Sequence, residues 1–457
     1  MKKLLFLFCL VGFISKAQKP NIIFILTDDM GYGDLSYMGS PVNHTPNIDK
    51  LSRMGTVYNR AYAGSAVCTP SRACLLTGKF PLRYDIQWAF TDNDEFLPVE
   101  EFNLSKALKK KDYTTAHIGK WHLGGVRIKD FEARQAGKKA NPGPHEQGFD
   151  HYLVNIEDPI VRKDLIRNRL LYREGGKTMV RNDVKAPHQV GNWETIKVDE
   201  AINFMSSTKK PFFLNLWFDT PHTPYEPIEP FVEEFEKLGA TGDQLLYRSM
   251  IKHLDLQIGR ITAYLEENNL LENTLIIFSS DNGAAFQSSS GPFIGHKTDL
   301  HNGGIRVPFF VVWEGKIPRN GYSYQQLHFA DILPSICDGL NIETPTNLDG
   351  QSLWSQWTGK PIIAHETMFW QIDNVNAGYQ GLGKRPQPSA TYAAQKGNWK
   401  LLANEKEPLA LYDIENEYRE GNNQIEKNKE IADQLWKELS VFINAPRRGW
   451  KSVVGKI

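Results

Sequence analysis

Ala66-Val67-Cys68-Thr69-Pro70-Ser71-Arg72-Ala73-Cys74-Leu75-Leu76-Thr77-Gly78 is the stretch around which the rest of the chain is organised. Thr69-Pro70 marks a helix entrance, because proline's missing N–H costs nothing in the first turn. Gly78 marks the stop. Cys68 is then expected just before a short helix, where unpaired N–H groups and the helix dipole favour an anion. Arg72, one turn on, can reach back to the same end. A lone Cys-x-Pro-x-Arg run reads more readily as a buried structural cysteine, so its meaning rests on the neighbouring stretches.

Upstream, Asn21-Ile22-Ile23-Phe24-Ile25-Leu26 is a short continuous apolar run, the mark of a strand covered on both faces. It ends in Thr27-Asp28-Asp29-Met30-Gly31-Tyr32-Gly33. Downstream the construction recurs. Tyr113 to Ile118 runs into Gly119-Lys120-Trp121-His122-Leu123-Gly124, Pro211 to Phe218 into Asp219-Thr220-Pro221-His222-Thr223-Pro224, and Thr274 to Phe278 into Ser279-Ser280-Asp281-Asn282-Gly283. Ligands in open α/β sheets bind past the carboxyl ends of the strands. Four buried strands that each end in a polar cluster therefore point to an enzyme.

Thr45-Pro46-Asn47-Ile48-Asp49 opens a helix, with Thr45 as its expected cap and Gly55 past its end. Val198, Ala201, Ile202 and Met205 share one helix face, and Met250, Ile251, Leu254, Ile258, Ile261 and Leu265 make a longer stripe. The class is α/β, helices layered on a sheet. Gly124 to Asp150 is expected to be a long surface excursion. After about Trp357 the texture changes to short strands (Glu366 to Trp370, Ala390 to Gln395, Trp399 to Leu402), a turn at Lys396-Gly397-Asn398, and a closing helix from Ile431 to Ile443. This predicts a main domain over 18–358 and a smaller antiparallel α+β domain over 359–457 that contributes to the cleft.

Residues 1–17 carry Lys2 and Lys3, an apolar run from Leu4 to Ile14, and small residues at Ser15 and Ala17. That is the pattern of a secretory signal peptide, and the apolar run is too short to span a bilayer. Export to the periplasm or medium is expected, with no membrane span. The 457-residue chain has 53 basic and 53 acidic residues, so no basic field exists to recruit nucleic acid. Beyond the leader only Cys68, Cys74 and Cys337 remain, too few for a disulfide framework, and pairing of Cys74 with Cys337 stays open.

Asp28, Asp29, Asp281 and the Asn282 carbonyl are hard oxygen donors at two strand ends. Together with an oxygen at residue 68 they suit Ca²⁺ or Mg²⁺ and not zinc. Each pair alone would pass for a turn.

Cys-Thr-Pro-Ser-Arg followed by Leu-Leu-Thr-Gly resembles the sulfatase signature, and the likeness continues in order through Thr-Asp-Asp-Met-Gly-Tyr-Gly, Gly-Lys-Trp-His-Leu-Gly, Pro-His-Thr-Pro, Ser-Asp-Asn-Gly and Gly-Gly-x-Arg-Val-Pro. The resemblance implies the large mixed sheet of the alkaline phosphatase superfamily and a sulfuric ester hydrolase. It implies that a maturation enzyme oxidises Cys68 to formylglycine, whose hydrated aldehyde is the nucleophile. Asp28, Asp29, Asp281 and Asn282 match calcium ligands, with Mg²⁺ as the second choice. Arg72 matches the arginine supporting the formylglycine hydrate, and Lys120, His122, His222 and Lys297 match residues around the sulfate. His222 corresponds to the general acid on the leaving oxygen, and His122 to the partner of the second hydroxyl. One position departs: the residue before Gly303-Gly304 is usually glutamate and here is Asn302, so hydrogen bonding around Lys297 is expected to differ.

Family and export together point to sulfated saccharides as substrates. Specificity is expected from Arg83 to Asp94, Gly124 to Asp150, His301 and Gln371 to Pro388, with Trp88, Trp370 and Tyr379 as candidate sugar-stacking rings. Two other classes fit the same scaffold: a phosphomonoester or phosphonate hydrolase, and a catalytically silent exported glycan-binding protein.

Overall fold

Ile22 to Leu26 offer water no polar side chain, so the strand they form must be covered on both faces. β1 (Asn21–Thr27) is buried throughout, with Ile22, Phe24 and Leu26 facing one apolar cluster and Ile23 and Ile25 the opposite one. The computed structural model describes residues 19–90, 95–156, 179–185, 191–361, 364–372 and 386–447. The expected signal peptide and Tyr379 lie outside them.

The strands that join β1 are β2 (Thr56–Tyr62), β3 (Thr114–Gly119), β4 (His151–Asn155), β5 (Met179–Arg181), β6 (Val184–Lys185), β7 (Phe212–Trp217), β8 (Thr274–Ser280), β9 (Phe309–Val312) and β10 (Gly321–His328). Among the described residues they form one ten-stranded mixed sheet in the order β10-β2-β9-β8-β1-β7-β3-β4-β5-β6. β8, β1, β7, β3 and β4 are mutually parallel neighbours, while β9 runs antiparallel to both β8 and β2. The four strands expected to end in polar clusters are thus adjacent and end level with one another: Thr27 pairs with Ser280, Leu26 with Trp217, and Gly119 with Trp217.

Helices Pro46–Arg53, Trp193–Ser207 and Gly242–Glu267 cover one face. The anticipated stripe from Met250 to Leu265 lies in that cluster, where each buried large apolar side chain is worth about 1.5–3 kcal/mol. Thr45 does not cap the first of these helices. Its hydroxyl donates to Asp49 instead, and the helix's free N–H groups at Asn47 and Ile48 go to the Asp255 carboxylate, at 3.2 and 2.8 Å.

The other face takes helices Cys68–Thr77, Leu104–Lys109 and Ile332–Gly339. A second, antiparallel sheet of β11 (Met368–Gln371), β12 (Tyr392–Lys396), β13 (Trp399–Ala403) and β14 (Pro408–Asp413) stands beside it. The expected turn is present, with Gly397 at φ 56°. Leu401, Leu411 and residues Leu435, Leu439 and Phe442 of helix Lys429–Ile443 share one core with the large sheet. Trp370, Ala393, Leu402 and Tyr412 pack with Val67 and Ile305. The second sheet therefore backs the Cys68 segment directly.

One sequence expectation changes here. Gly124 to Asp150 is not all surface: it contains helix Ile128–Gln135, and Phe131, Gln147 and Phe149 are buried. The open question of a disulfide also closes, because Cys74 and Cys337 are both free and buried. No helix among the described residues is long and apolar enough to cross a membrane.

Candidate active site

Val67 is extended and Cys68 is the first residue of helix Cys68–Thr77, one position further in than expected, with every residue of that helix buried. Gly64 makes the tight entry possible, because a Cβ there would meet Cys74 Cβ at 2.5 Å. Gly78 closes the helix at φ 67°, its N–H donating to Cys74 O at 2.9 Å.

The level strand ends bring the polar clusters together through backbone bonds. Asp28 N donates to Thr220 O at 3.1 Å, Asp281 N to Thr27 O at 3.0 Å, and Lys120 N to Trp217 O at 3.0 Å. Cys68 Sγ then lies 3.4 Å from Asp28 Oδ1, 3.4 Å from Lys297 Nζ and 3.6 Å from Lys120 Nζ. Lys120 pairs with Asp28 at 2.5 Å and Lys297 with Asp29 at 2.6 Å. Arg72 donates twice to Asp281 and once to Lys120 O, and lies over the Trp217 ring at 5.0 Å.

Charge balance derives from that geometry. Burial alone would raise Asp28, but Lys120, His222, Arg72 and Lys297 outweigh it and hold the carboxyl well below its usual range. Burial likewise opposes the charge on Lys297, and Asp29 together with the other acidic groups around it more than restores it. Burial pushes the Cys68 thiol up, and the nearby Asp281 charge adds to the effect. His222 is driven down to about 4 by burial and by Lys120. Its Nδ1 sits 2.5 Å from Thr223 O and its Nε2 3.5 Å from Asp29 Oδ2, so Nδ1 carries the proton and Nε2 faces the site.

These groups form a candidate seat for a metal ion. Ligand atoms of Asp28, Asp29, Cys68 and His222 all lie within 4.8 Å of one another. Asp281 Oδ1 accepts Asp29 N–H at 3.2 Å, and Asn282 Nδ2 donates to Asp29 Oδ1 at 2.8 Å, while Asn282 Oδ1 is buried without a partner among the described residues. A half-turn of that amide would present its oxygen to the same spot. Three buried carboxylates and an amide oxygen fit a hard divalent cation. Asp29 itself is held at φ 66°, a left-handed conformation that turns the chain back toward Asp281.

Cys68, Arg72, Lys120, His222 and Lys297 meet here with Asp28, Asp29, Asp281 and Asn282. His122 is tied in through its backbone, as Thr69 Oγ1 donates to His122 O at 2.9 Å. Two peripheral expectations fail. Trp370 is 1 % exposed and donates to Ala63 O, so it is packing and not a sugar platform. His301 is fully buried, bonded to Asp299 at 2.8 Å and tilted against Tyr412. Trp88 is half-buried, beside the apolar cluster that holds Trp370 and Tyr412. Asn302 does not face Lys297: its N–H donates to Glu420 at 2.6 Å and its side-chain oxygen accepts from Lys400 at 3.2 Å. Sequence reasoning missed Trp217, which reads as one more core aromatic, and Lys400 and Glu420, which no local pattern connects to Asn302.

The sulfatase family model matches residues 20–342. An N-acetylgalactosamine-6-O-sulfatase of Bacteroides thetaiotaomicron is 29% identical over 494 residues, covering 92% of each chain. The N-acetylgalactosamine-6-sulfatase of the dog (Canis lupus familiaris) is 28% identical over 392 residues, covering 80% of this chain and 71% of that one. The solved structure of Ps i-CgsB in complex with k-i-k-neocarrahexaose superposes with a TM-score of 0.79 at 25% identity, covering 96% of both chains. The level strand ends, the buried cysteine at the helix start and the family match agree: the chain belongs to the sulfatase family and is a sulfuric ester hydrolase.

Proposed function

We propose that the protein is exported and releases inorganic sulfate from sulfated saccharides, using a formylglycine made from Cys68 by a maturation enzyme. The observation that carries this reading is the position of Cys68 Sγ, within 3.6 Å of Asp28, Lys120 and Lys297. Related chains named for N-acetylgalactosamine-6-sulfatase activity support a carbohydrate substrate. When present, formylglycine supplies a hydroxyl nucleophile for sulfur, and a calcium ion held by Asp28, Asp29, Asp281, Asn282 and residue 68 supplies positive charge.

The remaining work falls to the protein's own side chains. Lys120 and Lys297 hold the sulfuryl oxygens where charge develops. His222 Nε2 delivers a proton to the leaving oxygen, a contribution of about 10²–10⁴-fold. An anion bound between the lysines offsets the Lys120 and Lys297 charges that add to burial in keeping this imidazole neutral, and so favours a proton on Nε2. His122 takes the proton whose loss releases sulfate. Arg72 anchors Asp281 and the Lys120 loop. In this reading residues 18–358 carry the chemistry and 359–457 shape one wall of the cleft.

The test combines two measurements on protein from a host with the maturation enzyme. The mass of the tryptic peptide Ala61 to Arg72 should show the thiol replaced by an aldehyde. The same preparation should hydrolyse an aryl sulfate faster than the matching aryl phosphate, and Cys68→Ala should abolish turnover while leaving the fold intact. An active protein with an intact thiol would overturn the mechanism. Faster phosphate hydrolysis would identify a phosphatase, and glycan binding without sulfate release a silent scaffold.

A further inference from the structure

The loop that carries His222 is clamped from behind by groups outside the reacting centre. Lys197, in helix Trp193–Ser207, is completely buried and contacts two carboxylates: Glu194 at 2.8 Å and Asp219, which is closer still. Glu194 Oε1 accepts the backbone N–H of Asp219 at 3.1 Å and of Thr220 at 2.8 Å. Asn155, at the end of β4, donates to the same Asp219 oxygen at 2.7 Å. From there the chain reaches the site in three residues: His222 N donates to Asp219 O at 2.8 Å, and Thr220 O accepts Asp28 N–H.

A buried ammonium is tolerated only with paired charges, and a helix needs none at this position to pack on the sheet. The two carboxylates meet its charge, and both belong to the clamp on the segment 219–222. Imidazole orientation is then fixed at both ends, by the Asp219 carbonyl on the backbone and by Thr223 O on Nδ1. Proton delivery depends steeply on such placement, since an error near 1 Å can cost on the order of 10²-fold.

We propose that Lys197, with Glu194 and Asp219, forms a positioning triad that sets His222 Nε2 at the leaving-group oxygen. This rests on the assignment of His222 as the general acid. Loss of the triad therefore penalises substrates whose leaving group needs protonation and spares those whose leaving group departs as a stable anion.

The experiment compares kcat for 4-nitrophenyl sulfate, a good leaving group, with kcat for an alkyl or sugar sulfate, in wild type, His222→Ala, Lys197→Met, Glu194→Gln and Asp219→Asn. Circular dichroism identifies which variants are folded. Asp219→Asn is the mildest, because that side chain is about a quarter exposed (24%) and keeps its shape. In the folded triad variants the sugar sulfate should lose on the order of 10²-fold in kcat, with KM little changed and 4-nitrophenyl sulfate losing several-fold less. Equal losses on both substrates, or none, would overturn the triad if His222→Ala shows the selective loss. If His222→Ala is itself unselective, the acid assignment is wrong and the triad's role falls with it.

Discussion

Arg72 Nε and Nη2 both donate to a single oxygen of Asp281, Oδ2, at 2.9 and 2.7 Å, with both side chains fully buried. This leaves Asp281 Oδ1 to take the Asp29 N–H and to face the site. The third guanidinium nitrogen holds Lys120 O, and the plane lies on Trp217. A point-like ammonium cannot make these contacts at once. Arg72→Lys should therefore cost on the order of 10²-fold in kcat through misplacement of the Lys120 loop. Arg72→Ala, which strands the buried Asp281 carboxylate, should cost about 3–5 kcal/mol in urea unfolding. A lysine variant with wild-type turnover would show that the fork geometry is irrelevant.

Asp28, Asp29 and Asp281 converge beside the Asn282 side-chain amide, and Arg72, Lys120 and Lys297 offset their charge. An ion that binds the folded state alone stabilises it by about 2.7 kcal/mol at one hundred times its dissociation constant. Chelator-treated protein should consequently melt at a higher temperature as calcium is titrated in, and sulfate release should return in parallel. Asp28→Asn should flatten that titration. No change in melting temperature with calcium in the wild-type protein would remove the ion from this site.

Much of this centre was legible because continuous apolar runs such as Ile22 to Leu26 signal strands covered on both faces, and ligands bind just past the ends of such strands. The order β8-β1-β7-β3 was not legible, since nothing local says which runs are neighbours. β2 and β10 escaped for a different reason. Arg60 and Gln326 look like solvent-facing residues, yet both donate to Gly397 O and fasten the second sheet to the first. Trp370 misled because an aromatic residue's place in the chain does not tell which face of a strand it occupies. Lys400 and Glu420 lie about a hundred residues from Asn302 and meet it only through the fold.

Those two residues form a fully buried ion pair at 2.9 Å, and Glu420 adopts φ 51° to reach it. Asn302 leads into Gly303-Gly304, whose backbone holds Gly283 N beside the Asp281-Asn282 pair at 2.9 Å. Glu420→Gln leaves a buried lysine unpaired and should cost about 3–5 kcal/mol in urea unfolding. Lys400→Met with Glu420→Gln should cost less than Glu420→Gln alone, since the second change removes the stranded charge. Additive losses in that cycle would show that the two groups are not coupled.

His365 lies where the chain enters the second sheet. Its Nε2 is 2.7 Å from Asp331 Oδ2 and its Nδ1 2.7 Å from Glu366 O. The same Asp331 oxygen accepts His328 N–H at 2.7 Å, and Oδ1 accepts Gln351 N–H at 2.9 Å, so one carboxylate joins the end of β10 to the approach to β11. Burial opposes a charged His365, but Asp331 prevails and raises its pKa above the usual 6.5. A raised folded pKa means that the folded state binds the proton more tightly than the unfolded chain does. The resulting stabilisation is complete below about pH 6.5, the unfolded value, and fades as pH rises through the higher folded value. His365→Gln, which cannot carry the charge, should therefore lose more stability relative to wild type at pH 6 than at pH 9 in urea titrations. An equal difference at both pH values would mean that the pair acts as a neutral hydrogen bond throughout.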